Sequence, residues 1–159
     1  MTESLSHVGE AGQARMVDVS HKPLTERRAT ASARVTMSPS TLALALSGQG
    51  PKGAVIETAR LAGIQGAKRT SELIPLCHPL PLDAIDVRIA ADGAGALRIE
   101  ASVATTGRTG VEMEALTAAA VAGLALVDML KAVERGMVVT DLRVESKSGG
   151  RSGEWRRSP

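Results

Sequence analysis

Asp128 and Lys131 in "VDMLKAV" stand three residues apart, a spacing that places both on one face of a helix. Such a pair reads in two ways. It is a solvent-exposed ion pair of little energetic weight, or, since Val127, Met129, Leu130 and Val133 surround it, a pair set in a pocket or an interface. Burial there would push the lysine toward its neutral form and make it a proton carrier. Glu112 and Glu114 open the same segment, "VEMEAL". On an extended entry they would point the same way, and on a helix they would diverge. Acids also favour a helix N-terminus for its dipole alone. In "PLCHPLPL" the prolines restrain the backbone around Cys77 and His78. A lone His is more often structural than catalytic, and nothing in the sequence marks Cys77 as an activated nucleophile. His7, His21, His78 and Cys77 do not have the spacing of a structural zinc site, so no metal site is expected.

Two further stretches fit an anion. Lys52 in "GPKGAV" lies between glycines ahead of a helix N-terminus. "KSGGRSG", residues 147–153, sets Lys147 and Arg151 among glycines whose amides can approach a phosphate closely. It is not a Walker loop, because the lysine precedes the glycines and no helix follows. The alternative is a loose basic tail. Arg27, Lys68 and Arg69 add positive charge elsewhere.

These residues need positioning elements. "RATASARVTM" alternates Ala29, Ala31, Ala33 and Val35 against Thr30, Ser32, Arg34 and Thr36, the pattern of a half-buried strand. "SPSTLALALSG" predicts a short helix capped by Ser38, with Pro39 in its first turn and Gly48 at its end. "PKGAVIETARLAGIQGAKRTSELI" predicts a longer helix that the following prolines end. "AIDVRIAADGAGALRIEASV" predicts a hairpin, with Ile85, Val87 and Ile89 before the turn and Leu97, Ile99 and Val103 after it. Thirteen uncharged residues, Ala115 to Val127, form the body of the main helix, and "MVVTDLRVES" the last strand. The order of strand, helices, hairpin, helix and strand predicts a single α+β, ferredoxin-like domain over residues 16–159. Its antiparallel sheet carries helices on one face. Residues 1–15 are expected to form a flexible arm, and the Gly/Ser-containing C-terminus a basic tail.

If the main helix is regular, Glu114 and Asp128 lie about 21 Å apart. One small ligand cannot easily touch both within one subunit. They serve different sites, or a second copy of the chain brings one end to the other. The small residues of "TAAAVAGLA" would permit such close helix approach. The chain of 159 residues has no Phe, no Tyr and one Trp, so its core is built of small aliphatic side chains, each burying little area. An oligomer is expected on this ground. A net charge of +2 and the shortage of stacking aromatics argue against a nucleic-acid binder. One cysteine suits a reducing compartment. The N-terminus does not read as a signal peptide, and the uncharged run is shorter than the roughly 18 residues of a membrane span. The reading is cytoplasmic.

The stretches "MVDVS", "TARLAGIQGAKRTSELIPLCHPLPL", "TGVEMEALTAAAVAGLALVDMLKAV" and "SKSGGRSG" closely resemble the molybdenum cofactor biosynthesis protein C family, the cyclic pyranopterin monophosphate synthases, over about residues 7–155. The resemblance implies a ferredoxin-like fold and a homohexamer, a trimer of dimers with the active site at a dimer interface. It implies a lyase. The substrate would be the cyclised dihydro derivative of GTP made by a partner radical GTP cyclase. The products would be cyclic pyranopterin monophosphate and diphosphate. Asp128, Lys131 and Lys52 match the family's catalytic positions. Leu76, Cys77, His78, Met113 and Glu114 match substrate-binding positions, and Glu112, Lys147 and Arg27 match further polar residues of the pocket. No cofactor is implied with certainty, Mg2+ being an optional companion of the triphosphate. Two rivals to this reading are a non-catalytic nucleotide-binding regulator, which needs no Asp128–Lys131 pair, and a nucleic-acid-binding module using the basic tail.

Overall fold

The computed structural model describes residues 12–158. The arm expected over residues 1–15 therefore falls, for residues 1–11, outside the described residues. Nine elements follow in the order β1 (Thr25–Thr36), α1 (Pro39–Ser47), α2 (Val55–Lys68), α3 (Thr70–Leu73), β2 (Ala84–Ala91), β3 (Ala96–Gly107), α4 (Glu112–Leu130), β4 (Val138–Ser148) and β5 (Trp155–Arg156). The strands form one antiparallel sheet in the order β2-β3-β1-β4-β5. The α+β ferredoxin-like architecture expected from the element order is the one observed.

Alternation decides which face of β1 is covered. Ala29, Ala31, Ala33 and Val35 are buried beneath the helices, opposite Val103, Ala101, Ile99 and Leu97 of β3. The helix layer is α2 against α4, with α4 lying on β1 and β3. Small residues set the depth of this packing. A methyl group at Gly63 would stand 2.9 Å from the Ala118 carbonyl and 3.2 Å from Ala122 Cβ. One at Gly66 would stand 2.9 Å from Val121 Cβ. The small residues of α4 thus accept α2 of the same chain, whereas close approach by a second copy was one of the two arrangements the sequence left open.

Ser38 caps α1 through its hydroxyl, and Gly48 closes it in the left-handed region at φ 73°. The long helix expected over residues 51–74 is interrupted. Thr70 turns its hydroxyl back to the Ala67 carbonyl at 3.0 Å, competing with the backbone ladder, and the chain restarts as the one-turn α3. β5 was not expected, because two residues show no periodicity. It pairs Trp155 with Lys147 and Arg156 with Ser146, so the tail returns to the sheet. By length and composition α4 passes for a membrane span, yet 56% of its most apolar window is buried inside the fold. Its apolar character serves the core.

Candidate functional site

The expected site residues gather in two places, one at each end of α4. At the N-terminal end, the loop after α3 brings Leu76, Cys77 and His78 against the first turn of α4. A cleft of about 410 Å³ opens there, lined by these three with Glu112, Met113 and Glu114. The loop is pinned to the end of β3, where Thr105 donates to the Pro81 carbonyl and the Asp83 carboxylate accepts from the Thr106 amide at 2.6 Å.

Both glutamates are helical, so they diverge rather than pointing together as an extended entry would have them. Glu112 meets Lys147 Nζ at 2.9 Å. Lys147 stands beside Ala29 in the sheet register, on the helix-covered face, and can therefore reach α4. Glu114 turns inward and is only 4% exposed. Burial pushes its carboxyl up to about 7, and the Glu112 carboxylate adds to the rise. Glu114 thus changes protonation near neutral pH. Cys77 is raised as well, first by burial and then by the nearby Glu114 charge. Its thiol stays protonated at neutral pH, which suits a packing and hydrogen-bonding role rather than nucleophilic attack.

A second, basic cleft adjoins the first through the shared lining residue Lys22. It holds His21, Lys22, Thr25, Arg27, Gly150 and Arg151 and contains no carboxylate. Arg27 donates through Nε to the Gly107 carbonyl at 3.0 Å and through Nη2 to the Arg108 carbonyl at 3.2 Å. Gly150, at φ 70°, lies directly against that guanidinium, so the glycine pair of "KSGG" makes room for Arg27. Lys147 thus reaches the first cleft from β4 through Glu112, while Arg27, from β1, and Arg151, from the turn between β4 and β5, line the second cleft beside it. Lys22, Val17, Val19 and Thr109 also line these clefts, and the sequence reading had not singled them out. Val17 and Val19 fall inside "MVDVS", one of the stretches that carried the resemblance.

The C-terminal end of α4 carries the remaining expected residues. Asp128 binds Lys131 Nζ through Oδ1 at 2.7 Å and Lys52 Nζ through Oδ2 at 2.8 Å. Lys52 is presented by the turn Gly50–Gly53, closed by a hydrogen bond from the Gly53 amide to the Gly50 carbonyl at 2.9 Å. The two lysines hold Asp128 down at about 2, so it is a carboxylate at any physiological pH. The pocket expected around Asp128 and Lys131 is absent from the single chain, where their side chains are 54% and 58% exposed and that of Lys52 is 43% exposed. The apolar neighbours explain this. Met129 and Leu130 point into the core, and the charged pair takes the outer face of the last turn. α4 is unbroken from Glu112 to Leu130, so the two groups stay about 21 Å apart along it.

Comparison with known proteins bears on both ends at once. The family model described as "MoaC family" matches residues 16–150. A Mycobacterium bovis protein named cyclic pyranopterin monophosphate synthase 3 is 58% identical over 153 residues, covering 96% of this chain and 86% of its own. Cyclic pyranopterin monophosphate synthases of Streptomyces avermitilis and Thermomicrobium roseum are 57% and 56% identical. They cover 98% and 96% of this chain, and 91% and 93% of their own. The matched region runs from the segment beside His78, through both ends of α4, to the glycine pair against Arg27, and on that ground the chain belongs to the MoaC family.

Proposed function

We propose that this chain is a cyclic pyranopterin monophosphate synthase of molybdenum cofactor biosynthesis, a lyase. It takes the cyclised dihydro derivative of GTP supplied by a radical GTP cyclase. It rearranges that molecule and releases diphosphate. The observation that carries the reading is the pairing of an acid-lined cleft for a nitrogen-rich ring with an adjoining carboxylate-free basic cleft for a polyphosphate.

The roles follow from the chemistry of each group. Glu112 and Glu114 accept hydrogen bonds from ring N–H groups, while Leu76, Cys77, His78 and Met113 form the walls that hold the ring. Arg27 and Lys147, with Lys22 and Arg151, hold the triphosphate. Closing the cyclic phosphate forms a bond from a substrate hydroxyl oxygen to the α-phosphorus, the hydroxyl proton passing to the departing diphosphate. The bond from that phosphorus to the bridging oxygen breaks, and the electron pair leaves on diphosphate. Cations at the leaving group lower that barrier. Lys131 and Lys52 carry protons during the ring rearrangement, and Asp128, ionised throughout, holds both ammonium groups within reach of one another. No carboxylate lines the basic cleft, so Mg2+, where it takes part, would ride on the triphosphate oxygens.

One substrate needs both ends of α4, so the working site joins the cleft of one chain to the Asp128 cluster of another. A homohexamer built as a trimer of dimers meets this need. Leu61, Leu124, Val133 and Leu142, all largely exposed, are apolar surface for such contacts. We place the enzyme in the cytoplasm, where Cys77 stays reduced.

The test is diphosphate release from the cyclised dihydro-GTP, generated in place by the radical cyclase, with wild type and Asp128→Ala side by side. Release with a pterin product from wild type, lost in the variant, is the expected result. Binding without release by wild type would replace the synthase with a nucleotide-binding regulator.

A further inference from the structure

Residues 16–22 border the acid-lined cleft without forming helix or strand. Among the described residues, two hydrogen bonds join this strap to the rest of the fold. At one end, His78 Nε2 lies 2.7 Å from the Val17 carbonyl. At the other, Arg108 Nε donates to the Lys22 carbonyl at 3.0 Å. Between them the strap is tied to itself, by the Ser20 amide to Asp18 Oδ1 at 2.8 Å and the Lys22 amide to the Val19 carbonyl at 3.0 Å. A pull on Lys22 is therefore transmitted along a short, internally bonded segment toward Val17. Arg108 is itself anchored, since its own carbonyl accepts from Arg27.

A backbone carbonyl can only accept, so the bond to Val17 requires the hydrogen on His78 Nε2. In the neutral ring this leaves Nδ1 as the one acceptor. We propose that Arg108 is a positioning residue: it tethers the strap so that the Val17 carbonyl locks His78 as the Nε2–H tautomer and directs any proton uptake by that ring to Nδ1. Arg108 acts through the strap and touches no substrate. The role assigned here rests on the synthase reading only for its effect on turnover, because the tautomer is a property of the protein alone.

The experiment uses full-length protein labelled with ¹⁵N-histidine, at pH 8. Three histidines, His7, His21 and His78, give three imidazole patterns, and His78→Gln assigns the one that matters. Wild type should show the Nε2–H pattern at His78. Arg108→Ala should shift it toward a mixture of tautomers, and Arg108→Lys, which still offers a donor to the Lys22 carbonyl, should restore most of it. With the GTP-derived substrate, Arg108→Ala should raise KM about tenfold, the weight of one hydrogen bond from a charged donor, with a smaller change in kcat. A raised KM with the His78 tautomer untouched would overturn the proposal and make Arg108 a direct substrate contact. A wild-type His78 without the Nε2–H pattern would overturn it outright. Where Arg108→Ala does not fold, Arg108→Met, which keeps the long side chain but offers no donor to the Lys22 carbonyl, gives the same reading. Absence of turnover in wild type would count against the synthase and leave the tautomer result to decide this proposal by itself.

Discussion

Glu114 shows how one residue's surroundings set its chemistry. Its folded value near 7 lies above the ordinary 4.5, so between those limits the folded chain holds a proton that the unfolded chain has lost. Stability should therefore fall as pH rises from about 4.5 to 7 and level off above, by up to about 3 kcal/mol at roughly 1.4 per unit. Glu114→Gln keeps the shape and removes the ionisation. It should unfold at higher denaturant than wild type at pH 8 and lose most of the slope between pH 5 and 7. A variant with the wild-type slope would mean that another group carries the titration. The same charge acts on Cys77, whose thiol is raised partly by Glu114. Glu114→Gln should speed alkylation of Cys77 by iodoacetamide at pH 8, since more of the thiol is then thiolate. An unchanged rate would mean that burial alone governs the thiol.

Among elements, the contact of α2 with α4 has the least room to adjust. The atoms facing Gly63 include a backbone carbonyl, which cannot rotate away as a side chain can. Gly63→Ala gains helix propensity, about 1 kcal/mol, but forces α2 off α4. The net loss should be about 1–2 kcal/mol, read as a fall of several degrees in Tm. Gly136→Ala is the control, since nothing lies within 4 Å of a methyl group there. Equal Tm values for the two variants would refute the packing argument. Much at this scale was legible in the sequence, because it rests on local rules. The alternation in β1 marked its buried face, and Ser38 and Gly48 marked the ends of α1. The break at Arg69, between α2 and α3, was not legible, since it depends on where the Thr70 hydroxyl turns. β5 was too short for any pattern. The strap was missed because its bonds run to backbone carbonyls, which no residue type announces. Residue type and spacing singled out Asp128, Lys131, Lys52, the two glutamates, His78 and Lys147, whereas Leu76, Met113 and the role of each residue came from the resemblance. Of the two settings expected for Asp128 and Lys131, a pocket or an interface, the single chain offers no pocket, because the apolar neighbours Met129 and Leu130 form the inner face of α4 and leave the pair on its outer face.

At the scale of the whole molecule, the separation along α4 is the fact to be explained. A straight helix of 19 residues cannot bring its ends together. If one substrate engages both, the completing group belongs to another chain, and the site is shared across a two-fold axis in each pair. Shared sites leave a signature that no single-chain site can give. His78→Gln disables the cleft and Asp128→Asn disables the lysine clamp, so each variant alone should lose nearly all diphosphate release. Co-expressed in equal amounts, half of the pairs contain one of each. In such a pair one site carries both lesions and the other carries neither, so about a quarter of wild-type activity should return. The recovered activity should vanish when the two variants are purified apart and mixed without subunit exchange, and appear as exchange proceeds. No recovery in the co-expressed protein, with mixed pairs verified by mass, would confine each site to one chain and require the ends of α4 to serve separate ligands.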